Sequence, residues 1–87
     1  NAQIRVLYIK NEDFCTIRIC DNAGGITKSI REKIFEPYFT TKHKSQGTGL
    51  GLYMSKKIIE DILEGELNVS NCELGVCFDI MLGLKNE

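Results

Sequence analysis

Two stretches of this chain hold residue types at spacings that could do chemistry. One is "DNAGGI" at residues 21–26, an acid and an amide followed by Ala23, Gly24 and Gly25. The other is "GTGLGLYMSKKIIE" at residues 47–60, where Gly47, Gly49 and Gly51 alternate just before a segment of helical character. Positions without a side chain let the backbone approach a ligand closely and turn through positive φ. A helix that follows them offers N–H groups and the positive end of its dipole, a combination suited to phosphate. A second reading stays open, in which the glycines form a flexible loop and Gly51 serves only helix packing. The first stretch is equally two-sided: a turn that ends a strand, or the floor of a nucleotide pocket. A P-loop is excluded, because the helix opens with Leu52 and Tyr53 instead of Lys and Ser or Thr. The dinucleotide fingerprint is excluded too, since a polar loop precedes the glycines where a strand is required. Between residues 28 and 44 five basic residues (Lys28, Arg31, Lys33, Lys42, Lys44) face only Glu32 and Glu36. That local positive surplus suits a polyphosphate or a solvated surface loop.

The elements that must position these stretches follow from patterning. Ile4–Lys10 and Phe14–Cys20 are rich in β-branched and aromatic residues, and Asn11, Glu12 and Asp13 between them predict a hairpin turn. Ile17 and Ile19 point to one face of the second strand, Thr16 and Arg18 to the other. A short helix is expected over Ser29–Ile34, capped by Ser29 and ended by Pro37. Residues 40–48 lack an apolar period and predict a loop. From Leu50 to Leu63, Leu52, Met54, Ile58, Ile59, Ile62 and Leu63 form a broad apolar stripe at helical spacing, with Gly65 as the residue after the cap. Glu66–Ser70 and Val76–Leu82 alternate again around a turn at Gly75, with Val76, Phe78, Ile80 and Leu82 on one face. Hairpin, irregular middle, helix, hairpin is the order of an α+β domain whose helix lies on one face of a largely antiparallel sheet.

The bulk properties bound the rest. With 87 residues the chain is one domain at most, and its 43% hydrophobic and 26% charged content is ordinary for a globular protein. A net charge of −1 gives no global field for nucleic acid or anionic membrane, so no nucleic-acid partner is expected. No apolar run is long enough to span a bilayer and no signal-peptide pattern opens the chain, which begins with Asn and is expected to be a piece of a longer protein. Cys15 and Cys20 fall on opposite strand faces and cannot share a metal. Cys72 and Cys77 flank the second turn, so a disulfide between them is conceivable, but free thiols are expected without a secretory signal. The short Cys-x-x-Cys spacing of a zinc site is absent.

In order, "DNAGGI" (21–26), "IFEPYFTTK" (34–42) and "GTGLGL" (47–52) resemble the catalytic ATP-binding domain of sensor histidine kinases, within the wider family that includes Hsp90, MutL and type II topoisomerase ATPases. The resemblance runs from about residue 4 to residue 84, and the pair Phe35 and Phe39 points to histidine kinases among these relatives. It implies a two-layer α/β sandwich of the Bergerat type with a mostly antiparallel mixed sheet. It implies that Asp21 accepts a hydrogen bond from the adenine amine, with Ala23, Gly25 and Ile26 completing that box; Ala23 stands where the family usually has glycine. Residues 27–46 would be the lid, anchored by Phe35 and Phe39. Gly47, Thr48, Gly49, Leu50, Gly51 and Leu52 would line the phosphates, with Lys42 as a side-chain partner.

The resemblance also implies ATP and Mg²⁺ as ligands, a helical dimerisation and phosphoacceptor domain of the same kinase, a response regulator and a homodimer as partners, and a cytoplasmic domain of a parent that is membrane-anchored. The family's Mg²⁺-holding asparagine lies on a helix before the aspartate motif, whereas the residues preceding Asp21 predict two strands. This stretch by itself is therefore expected to bind nucleotide weakly, to lack autokinase activity and to leave apolar surface exposed. His43, the one histidine, falls between Lys42 and Lys44 in the expected lid and reads as a solvated loop residue, not a phosphoacceptor. A related ATPase, an anti-sigma-type serine kinase and a non-catalytic interaction module are the alternatives.

Overall fold

A computed structural model describes residues 2–40, 49–73 and 75–84. Four strands, β1 (Ile4–Lys10), β2 (Phe14–Asp21), β3 (Glu66–Asn71) and β4 (Val76–Gly83), form one sheet in the order β1-β2-β4-β3. Every pairing among them is antiparallel, so the sheet is not mixed as the resemblance implied. The reason is topological: each hairpin is antiparallel internally, and the long connection from Asp21 to Glu66 lays β4 antiparallel against β2. The first hairpin closes on Asn11, whose side-chain oxygen accepts from the backbone N–H of Asp13 (2.9 Å) and Phe14 (2.8 Å). An asparagine that ties down the residues following it is one of the standard ways to build a tight turn.

Two helices occupy the connection. α1 (Lys28–Lys33) starts earlier than expected, because Thr27, not Ser29, caps it: the Thr27 hydroxyl accepts from Ile30 N–H at 3.2 Å. The long helix expected over Leu50–Leu63 is two pieces. α2 (Gly51–Lys57) runs into a π-helical segment, Ile58–Ile62, closed by Leu63 N–H donating to the Ile58 carbonyl at 3.1 Å. The widened turn also changes the ending. Glu64, with φ 55°, takes the left-handed position assigned to Gly65, and Gly65 N–H donates to the Ile59 carbonyl at 2.8 Å. Gly65 has a different duty: a side chain there would run into the Met81 carbonyl and Leu82.

The helices cover one sheet face. Phe35 meets Phe78 edge-on, and Ile59 and Leu82 converge on Gly65. Register puts Cys15, Ile17 and Ile19 of β2 beside Leu82, Ile80 and Phe78 of β4 on this face. Ile59, Leu67, Val76 and Cys15 are buried there. Coverage is uneven: on the same face of β1, Ile4, Val6 and Tyr8 are 73%, 64% and 62% exposed. The far face carries Arg18 opposite Asp79, joined by two hydrogen bonds of 2.7 and 2.9 Å, and Cys20 opposite Cys77. The cysteine pairing differs from expectation. Cys20 and Cys77 form a disulfide, with Cα atoms 4.1 Å apart, while Cys15 and Cys72 are free. Among the described residues no helix is long and apolar enough to cross a membrane.

Candidate functional site

Asp21 is the last residue of β2, half-buried, and its side chain is fixed from two sides. Its Oδ1 accepts from Ala23 N–H in the following turn and from Val76 N–H at the start of β4, both at 3.1 Å. Gly75 makes this approach possible, since any Cβ there would collide with the Asp21 carbonyl and carboxylate. Oδ2 accepts no hydrogen bond from the described residues. The carboxylate is thus held in one orientation with half of its acceptor capacity left over.

The turn after Asp21 passes through Gly24 at φ 91° and is then clamped by Asn71. The Asn71 amide accepts from Ile26 N–H (2.9 Å) and donates to the Ile26 carbonyl (2.8 Å), a two-point grip at the end of β3. Gly25 lies against the same amide, where a Cβ would come within 2.8 Å of Asn71 Oδ1. Sequence reasoning missed Asn71, yet a signal was present. It continues the inward register of Leu67 and Val69, and an amide where that register calls for an apolar residue must find polar partners.

Phe35, expected to anchor the lid, packs its ring 6.3 Å from that of Phe78. Lys56 sits over the other side of the site: its Nζ is 4.7 Å from the Phe35 ring centroid, 2.8 Å from Glu60 Oε2 and 3.1 Å from the Leu67 carbonyl oxygen. One ammonium therefore joins α2, the π-helical segment, β3 and Phe35. Hydrogen bonding to Lys56 holds the Glu60 carboxyl below the usual carboxylate range, against a smaller opposing effect of desolvation. Lys56 was also overlooked, because a lysine within an amphipathic segment reads as a solvated face. Phe39 contributes through its backbone: its N–H donates to the Glu36 carbonyl at 3.3 Å and its own carbonyl lies against Gly49. Tyr38 N–H donates to the Gly49 carbonyl at 2.9 Å, across the loop expected over residues 40–48.

At the glycine stretch, Gly49 adopts φ 75° and Leu50 precedes α2 without a side-chain cap. Gly51 opens α2, and a side chain there would meet nothing within 4 Å, so packing does not require glycine at 51. Leu52 is half-buried on α2. Lys42, Gly47 and Thr48, together with His43, lie outside the described residues.

The structure thus groups the expected site residues in pairs and clamps: Asp21 with Ala23, Gly25 and Ile26 with Asn71, Phe39 with Gly49. Among the described residues Asp21 and Phe35 line different clefts. Asp21 lines a cleft of about 240 Å³ with Gln3, Arg5, Cys20, Asn22, Cys72 and Glu73. Phe35 lines another of about 280 Å³ between α1 and α2, bordered by Tyr53, Lys56 and Glu60. Among the described residues the one cluster of side chains close enough to hold a metal is Cys20, Cys72 and Cys77. Sulfur ligands do not fit Mg²⁺, which takes oxygen donors.

Comparison with known proteins adds the ancestry. Residues 1–86 match the family model described as histidine kinase-, DNA gyrase B- and HSP90-like ATPase. The chain is 38% identical over 86 residues to a probable C4-dicarboxylate sensor kinase of Halalkalibacterium halodurans, covering 98% of this chain and 16% of that protein. It is 43% identical over 72 residues to the signal transduction histidine-protein kinase AtoS of Escherichia coli, covering 82% and 11%. In structure it resembles the catalytic domain of histidine kinase ThkA in a nucleotide-free form, with a TM-score of 0.84 and 35% identity over 95% of this chain and 54% of that one. It also resembles ThkA in complex with the response regulator protein TrrA, with a TM-score of 0.79 and 28% identity over 98% of this chain and 23% of that one. The chain spans less than a fifth of the length of the two sensor kinases it matches. A family model that covers residues 1–86, on the four-stranded sheet and helices described above, establishes that this chain belongs to the histidine kinase-, DNA gyrase B- and HSP90-like ATPases.

Proposed function

We propose that this chain is the ATP-binding catalytic part of a sensor histidine kinase, in which residues 21–26 read adenine, residues 27–46 form a lid and residues 47–52 meet the phosphates. One observation carries the reading: the Asp21 carboxylate is pinned through Oδ1 by two backbone N–H groups, and its Oδ2 accepts no hydrogen bond from the described residues. An acceptor fixed in this way suits the exocyclic amine of adenine and disfavours the carbonyl that guanine carries at that position. The donor set fits ATP at its adenine end. Ala23 ties the adjoining turn to Asp21, Gly25 and Ile26 hold it against Asn71, and Phe35 anchors the lid on Phe78. Gly51, free of any steric demand for glycine, supports close backbone approach by a ligand, and Gly49 and Leu52 flank it.

When bound, ATP supplies the γ-phosphoryl group, which would pass to a histidine on a separate helical dimerisation domain and then to a response regulator. The described residues supply positioning, which is most of what phosphoryl transfer asks of a protein. Among them no cluster of three acidic side chains offers Mg²⁺ a site, and no role for the ion is assigned to them. The homodimer and the placement as a cytoplasmic domain of a membrane-anchored parent belong to the same proposal. Calorimetry with ADP on the wild type and on Asp21→Asn tests it. Asn keeps the Oδ1 acceptor but puts an NH₂ group where Oδ2 was, so ADP binding should weaken by roughly 1.5–3 kcal/mol. Unchanged affinity would remove the adenine assignment. Absence of binding to the folded wild type at millimolar ADP would favour an interaction module, for which the exposed Ile4, Val6 and Tyr8 offer a surface.

A further inference from the structure

Three of the four cysteines converge at the end of the sheet, although they come from β2, the β3–β4 turn and β4. The sulfurs of Cys20, Cys72 and Cys77 all lie within 4.8 Å of one another. Cys20 and Cys77 are directly opposite in the β2–β4 register and buried, each 4% exposed. Cys72 is half-buried, and its thiol points toward the Asp21 carbonyl oxygen at 3.9 Å. The cleft of about 240 Å³ opens on Cys20 and Cys72 and is lined further by Glu73.

We infer that, once the Cys20–Cys77 disulfide is reduced, these three sulfurs form a trithiolate site for a thiophilic d¹⁰ cation such as Zn²⁺, with its fourth position open to the cleft. Thiolates select zinc over the hard cations, and Zn–S bonds of about 2.3 Å in a tetrahedron set sulfurs about 3.8 Å apart. Cys72 already lies within 4.8 Å of both other sulfurs, and reduction frees Cys20 and Cys77 to separate from bonding distance toward that spacing. Disulfide and metal exclude each other, because the disulfide occupies two of the three ligands. A dithiol reductant delivers two electrons and two protons to the disulfide, closing to its own disulfide and leaving two thiols. Zinc then displaces three thiol protons and binds three thiolates. Its three sulfur ligands are not residues that the nucleotide reading uses, but Asp21 lines the same cleft, so Zn²⁺ binding is read on its own, without nucleotide.

The test uses the intact protein reduced with a phosphine, which takes oxygen from water and releases both thiols. Zn²⁺ alone is then titrated against a chromophoric chelator, and Co²⁺ is substituted to look for sulfur-to-metal charge-transfer absorption. The expected result is one Zn²⁺ per reduced chain, none in the oxidised chain, and an intense charge-transfer band with Co²⁺. Cys72→Ser should weaken Zn²⁺ binding at least about tenfold, a conservative figure given that second-shell changes alone cost 10–100-fold. Cys15→Ser, on the opposite sheet face, should bind as the wild type does. The inference is overturned if the reduced wild type takes up no stoichiometric Zn²⁺, or if folded Cys72→Ser keeps full affinity. Equal loss in Cys15→Ser would overturn it as well.

Discussion

Tyr38 donates its backbone N–H to the carbonyl of Gly49 at 2.9 Å, and both residues hold positive φ, 66° and 75°. This bond ties the phenylalanine segment to the glycine stretch that opens α2, on either side of the loop expected over residues 40–48. A bulky residue such as Tyr38 avoids the left-handed region unless its surroundings compel it. Here they do: Gly49 packs so closely on Tyr38 and on the Phe39 carbonyl that no side chain fits between them.

Two glycines of the same stretch should therefore respond in opposite ways to alanine. Gly49→Ala forces a Cβ into the Tyr38 backbone at positive φ and should destabilise the chain by about 1–3 kcal/mol. In thermal unfolding that is about 4–8 °C for each kcal/mol in a domain of this size. Gly51→Ala meets open space in the first turn of α2 and should leave stability unchanged or raise it by up to about 1 kcal/mol. If position 51 approaches phosphate, the same variant weakens ADP binding while its midpoint holds. An alanine that is neutral in both assays would remove Gly51 from the site.

Asn71 grips Ile26 by two hydrogen bonds, so Asn71→Ala should loosen the turn that follows Asp21. Two bonds at about 0.5–1.5 kcal/mol each put the loss near 1–3 kcal/mol. The local signature is faster hydrogen exchange at the Ile26 amide, with the amides of β2 and β4 less affected. Gly25→Ala should reproduce this change from the other side, because its Cβ would push into the Asn71 amide. Unaltered Ile26 exchange in Asn71→Ala would show that the clamp does not hold the turn.

Much of this arrangement is legible in the sequence. β1 spans the residues that alternation marked, and β2, β3 and β4 each extend one residue beyond them, because side-chain period and turn residues are local signals. Asp21 was singled out correctly as a strand-end acid, but its bracing was not visible, since Val76 N–H comes from the other end of the chain. The cysteines show the limit most sharply. Spacing along the chain argued against a shared site, yet Cys20 and Cys77 become neighbours through the pairing of β2 with β4, which no local pattern specifies. The π-helical segment was likewise hidden: Ile58, Ile59 and Ile62 fit a regular helical stripe equally well.

Glu60 gives the chain a pH dependence of known sign. Its folded carboxyl titrates below the unfolded value because Lys56 hydrogen-bonds the ionised form. The stabilisation is present in full above the unfolded value, near pH 4–4.5 for glutamate, and is lost as pH falls through the folded one. Thermal midpoints measured from pH 6 downward should fall for the wild type in that acid window. Glu60→Gln should lower the midpoint at pH 6 and flatten the decline. Because the pair is partly exposed, the difference should shrink in high salt. Parallel wild-type and Glu60→Gln curves would show that the Lys56 bond contributes nothing to stability.

The apolar stripe of the helical segment divides sharply, and two isoleucines in it measure that division. Ile59 is 8% exposed and faces the sheet beside Gly65 and Leu82, whereas Ile62 is 71% exposed. Periodicity assigns both to the core, but the π-helical turn rotates the later residue away from the sheet. Ile59→Ala should cost about 2–4 kcal/mol, the sum of lost transfer energy and the cavity left behind. Ile62→Ala should stay within about 0.5 kcal/mol of the wild type, as surface substitutions do. Denaturant unfolding of the two variants side by side decides the matter. A large loss in both would mean that Ile62 is buried in solution, either because the segment is a regular α-helix there or because another surface covers it.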